Sequence, residues 1–126
     1  EWKNLDMEKA EDLLELYVKP FYFGCEADDA MNYTAFNSKA NAFGAKLKAM
    51  FSSDLGHWDV VDFGEILSET YEAVEKGLMT EEDFEDFVFT NPATFPTRLN
   101  PDYFKGTVVE DAVENLKSEI LVADAG

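Results

Sequence analysis

Residues 49–62, AMFSSDLGHWDVVD, decide how the rest of the chain is read. Ala49 to Ser52 is a short apolar run of the kind that forms a buried strand. The residues after it are chemically dense: three carboxylates (Asp54, Asp59, Asp62), the only histidine of the chain (His57) and one of its two tryptophans (Trp58). A strand that empties into such a cluster is the usual layout of a ligand site in a parallel α/β fold, where sites lie beyond the carboxyl ends of the strands.

Working outward toward the N-terminus, Phe21 to Cys25 (FYFGC) is a second short run, apolar on both faces, and it too reads as a strand of a parallel sheet. It ends in Glu26, Asp28 and Asp29, a second strand-end acidic cluster. Ahead of it, Ala10, Leu13, Leu14 and Tyr17 recur at the spacing of one helical face. Asn4 or Asp6 is the expected cap, Pro20 the stop, and a helix is predicted over 5–19. Between the two strands, residues 29–43 are rich in Asn, Ala and Ser and predict a loop with a short helix.

Toward the C-terminus, Asp62 and Glu65 form a capping-box-like pair, and Ile66, Leu67, Thr70, Tyr71 and Val74 make a helical face closed by Gly77. Thr80 caps a short acidic helix, EEDFEDFVF, whose charged side reads as a solvated face. Asn91-Pro92 and Phe95-Pro96 predict an ordered loop or boundary over 90–99. Asn100-Pro101 marks a helix start, and Thr107 with Glu110 caps a terminal helix whose stripe is Val109, Ala112, Val113, Leu116 and Ile120. The alternation predicts βα units around a parallel sheet.

Composition bounds the function. The chain has 126 residues, 46% hydrophobic and 14% aromatic, which is material for one domain and argues against disorder. A formal net charge of −17, from 27 acidic and 10 basic residues, disfavours nucleic acid, whose phosphates need clustered Lys and Arg. A basic protein partner or a divalent cation suits this field, as does a simple solubilising surface. A lone cysteine, Cys25, excludes an internal disulfide and fits a reducing, cytoplasmic setting. No apolar run approaches the roughly 20 residues of a membrane span.

Asp54, directly after the second strand, is the best-placed carboxylate for catalysis or for a metal, and a backbone-capping role weighs about equally. His57 suits a ligand or a proton carrier, although a lone histidine cannot build a zinc site. Trp58 can wall a pocket, with core packing the more ordinary use of a tryptophan. Cys25, among acids, is expected to be an inert thiol.

Taken together, YFGCEADD (22–29), FNSKANAFGAKLKAMFSSDLGHWDV (36–60) and FVFTNPATFPTRLNPDYFKGTVVE (87–110) resemble the C-terminal part of amidohydrolase-2-type metal-dependent hydrolases. The resemblance implies a (β/α)8 barrel, with Asp54 binding a divalent metal, zinc or manganese, or activating its water. It also implies that His57 lines the pocket of a small-molecule substrate and that Glu26 shares the rim. The family's other metal ligands, a His-x-His pair on the first strand among them, have no counterpart here, and a full barrel takes about 250 residues. The expected unit is therefore a helix-rich α/β fragment: a single partial domain, 1–126, with the last two βα units in 1–90 and a C-terminal extension in 91–126. Alone it is expected to be inactive, completed by self-association or by the missing N-terminal half. The alternative is a noncatalytic acidic interaction module that self-associates or binds a protein partner.

Overall fold

A computed structural model describes residues 2–27, 29–58 and 60–124, the side chains at 2, 3 and 119–124 excepted. The two aromatic-rich runs form β1 (Tyr22–Glu26) and β2 (Lys48–Ser52), paired in parallel with Phe23 opposite Ala49 and Cys25 opposite Phe51. Parallel strands need a crossover, and here it is built from 3-10 turns at Asn32–Phe36 and Ala42–Gly44. Asn41 holds it together: its side-chain amide donates to the carbonyls of Thr34 (2.9 Å) and Ala45 (3.0 Å).

After β2 come α1 (Ile66–Glu75), then α2 (Glu81–Glu85), a wide π turn (Asp86–Thr90) and α3 (Asn91–Leu99) in unbroken succession, and α4 (Glu110–Asp124). Among the described residues the fold is thus α/β, about half helical, with a two-stranded parallel sheet. α1 ends as its sequence predicts. Gly77 takes φ +68, its N–H bonds the Val74 carbonyl, and the Leu78 N–H reaches Ala73 at 2.9 Å, the paired bonds of a Schellman cap. Thr80 and Asp83 form a reciprocal capping box at the start of α2.

The predicted loop over 90–99 is instead helix. Its prolines are local signals against a helix, but the tertiary contacts run the other way. Phe87, Asn91 and Phe95, spaced by four, all meet the sheet. Phe87 packs edge-on to Phe51 with ring centroids 6.0 Å apart, the Asn91 amide donates to the Ala49 carbonyl at 3.0 Å, and Phe95 lies 5.2 Å from Tyr22. The wide turn just ahead of Pro92 accommodates a ring that a regular helix would set against the preceding turn. The hydroxyls of Thr94 and Thr97 donate to the carbonyls of Thr90 and Ala93.

Two further expectations fail. No regular helix spans 5–19: a 3-10 turn at Ala10–Asp12 passes into a π turn at Leu14–Val18, and Leu13, Leu16 and Tyr17 stay exposed. Neither Asn4 nor Asp6 caps it; Lys9 occupies that place, and the Asp12 carboxylate accepts the N–H groups of Glu8 and Lys9. Asn100-Pro101 opens a set of turns, with Asn100 Oδ1 accepting the Asp102 N–H, and helix resumes only at Glu110. Glu110 reaches back to the Gly106 N–H at 2.7 Å, while Thr107 donates to Phe104.

The core lies between the sheet and the helix that follows Thr80. Phe36, Ala49, Met79 and Phe87 are buried together, with Cys25 and Phe51 against them. Burying a phenylalanine fully is worth about 1.5–3 kcal/mol. The acidic helix is not simply solvated: Asp83 is buried and pairs with Lys46 Nζ at 2.6 Å. Burial alone would raise its carboxyl, but hydrogen bonds from Lys46 and Thr80 outweigh it and hold the group below the ordinary aspartate range. Asp86, half-buried, is pushed up by that burial.

Candidate functional site

The carboxyl end of β2 turns sharply. Asp54 sits at φ +52, in the left-handed region that costs a non-glycine residue energy, and Gly56 at φ +100 supplies the positive φ that a type II turn demands at its third residue. The turn closes through the His57 N–H and the Asp54 carbonyl (3.2 Å). Its consequence is chemical: the His57 ring folds back so that Nδ1 lies 2.7 Å from Asp54 Oδ2. Spacing alone could not reveal that contact, which depends on the left-handed Asp54 and on Gly56.

Beside this pair is a cleft of about 190 Å³, lined by Asp54, Asp62, Glu65, Glu69, Ala27 and Val60 among others. α1 forms its far wall. What docks α1 there is Thr70, buried, whose hydroxyl bonds the Ala27 carbonyl at the end of β1 (3.0 Å) as well as Ile66 of its own helix. The sequence places Thr70 on the inward face of this helix without revealing that role. It marks Glu69 only by its place one residue before that stripe.

The other expected site residues are not gathered in. Glu26 ends β1 opposite Ser52, exposed and outside the cleft lining. Trp58 is 93% exposed, so it neither walls a pocket nor packs in the core: Gly56 and the turn carry it away from both. Asp28 and Asp59 lie outside the described residues. Asp62 and Glu65 do not form the expected capping box: Asp62 Oδ1 accepts the Gly64 N–H at 2.8 Å, and Glu65 holds the N-cap place of α1 with no side-chain cap bond. Cys25 is half-buried, its thiol donating weakly to the Phe23 carbonyl, and desolvation pushes its pKa up, which keeps it protonated and unreactive.

Do these groups fit a metal? Asp54 and His57 are bonded to each other, Asp62 to Gly64, and Glu65 to the Ser68 hydroxyl. Among the described residues no three His, Cys, Asp or Glu side chains converge in a way that holds a metal ion. The donor set therefore does not make a metal centre by itself. What it does make is a carboxylate–imidazole pair open to solvent at the end of a parallel strand. Among the described residues, no helix is long and apolar enough to cross a membrane. No family model, curated protein or solved structure matches the chain.

Proposed function

We propose that this chain is one wall of an amidohydrolase-type (β/α)8 barrel, contributing Asp54 and His57 to the hydrolysis or decarboxylation of a small organic acid or amide, and inactive by itself. The observation that supports this most is the 2.7 Å contact between Asp54 and His57 immediately past a parallel strand. Accepting a hydrogen bond from Nδ1–H, the carboxylate favours one tautomer of the imidazole and leaves Nε2 free to take a proton from water or substrate. His57 is two-thirds exposed, so that nitrogen is reachable. The left-handed Asp54, a conformation that Asp6 and Phe43 also adopt, sets the turn that brings the ring of His57 back to the carboxylate.

The zinc or manganese of the family that the sequence resembles would need further ligands, histidines brought by other polypeptide. Isothermal calorimetry with zinc and with manganese tests the assignment. The expected result is weak binding lost in Asp54→Ala, while tight one-site binding that survives Asp54→Ala contradicts it. A cytoplasmic setting suits the lone reduced thiol.

The bareness of the sheet favours a second reading, a noncatalytic acidic module. Parallel sheets are normally covered on both faces, yet Gly24, Glu26 and Ser52 are exposed toward the carboxyl ends of the strands. Sedimentation velocity separates the two: a folded monomer at low concentration weakens the module reading, and a stable dimer supports it.

A further inference from the structure

We infer that the rim beyond β2 is a docking surface for a basic amphipathic segment of another protein. Two independent features meet there. From Leu55 to Leu67 the chain displays Leu55, Trp58, Val61, Phe63 and Leu67 to solvent, Trp58 and Val61 at 93% and 91% exposure. Five large apolar side chains exposed within thirteen residues are the raw material of an interaction site. The same region is anionic: residues 54–69 hold five carboxylates and neither lysine nor arginine.

The charge chooses the occupant. A second copy would bring another −17 and oppose carboxylate to carboxylate, and nucleic acid is repelled outright. A segment with Leu or Phe anchors on one side and Lys or Arg on the other satisfies both features at once. Its apolar side covers Trp58 and Phe63, and its cations meet Asp62, Glu65 and Glu69 along the cleft. This surface does not depend on the catalytic reading.

The test uses a labelled synthetic helical peptide of Lys and Leu, its counterpart with Glu in place of Lys, and fluorescence anisotropy against the full chain. The Lys peptide is expected to bind, with affinity falling at least about tenfold from low to high salt, and the Glu peptide is expected not to bind. Trp58→Ser with Phe63→Ser is expected to weaken binding about tenfold, and Leu99→Ser with Val108→Ser, exposed residues elsewhere, to leave it unchanged. Circular dichroism verifies the fold; should the double variant unfold, Trp58→Ser alone decides. Equal affinity for both peptides, equal weakening by both variant pairs, or a dimer of the chain dissolved by Trp58→Ser overturns the inference.

Discussion

Phe87 and Trp58 mark the two ends of a contrast within one sheet. Phe87, wholly buried, is held between Phe36 and Phe51 on the helix-covered face. Trp58, six residues past β2, has almost its whole surface in water. One region is built from aromatic contacts, a helix tied to a strand carbonyl and a paired buried carboxylate. The other is built from turns, a left-handed aspartate and clustered carboxylates. The difference teaches where stability resides: in the packed face, while the rim is free to carry chemistry because the fold does not rest on it.

The contrast breaks most decisively at Phe87. Phe87→Ala should cost about 3–5 kcal/mol in urea unfolding, and a loss below about 1 kcal/mol would mean that this face is not the core. Asp83→Ala should cost about 2 kcal/mol near neutral pH, because it removes the carboxylate half of the α2 capping box and leaves Lys46 without its partner. Since the folded state holds the Asp83 carboxyl below its ordinary value, this stabilisation is full above the ordinary aspartate range and lost as pH falls through the depressed folded value. Unfolding curves of Asp83→Ala and the parent chain should therefore converge in acid.

Asn91→Ala should cost about 1 kcal/mol, the worth of the bond that ties α3 to the Ala49 carbonyl, read from the shift in thermal midpoint. At the far end of the scale, Trp58→Ala and His57→Ala should each change stability by no more than about 0.5 kcal/mol. Were either to destabilise the chain by as much as Asn91→Ala, the rim would have to be counted as part of the folding unit.

How much of this is legible in the sequence depends on the range of the interactions. The Thr80 cap and Gly77 are set by contacts within a few residues, and both strands show as short apolar runs, 21–25 and 49–52, that overlap the observed Tyr22–Glu26 and Lys48–Ser52 almost fully. Helix α3 is hidden because its prolines speak locally, whereas its partners, Ala49 and Tyr22, lie more than 40 residues away. Asp83 looks solvated for the same reason: Lys46, its partner, is 37 residues distant. At the rim, Asp54 and His57 are both nameable from the DLGH turn, yet their direct bond needs the backbone. Trp58 misleads because hydrophobicity predicts burial only where there is something to pack against.

The most direct test is the ring of His57, the only histidine, which gives a single uncluttered imidazole signal. Nitrogen-15 shifts recorded where the ring is neutral report which nitrogen bears the proton. Nδ1–H with Nε2 unprotonated is expected in the parent chain, and a return toward the ordinary Nε2–H form in Asp54→Asn. An Nε2–H ring in the parent chain, unchanged by Asp54→Asn, would contradict the pairing on which the proposed chemistry depends.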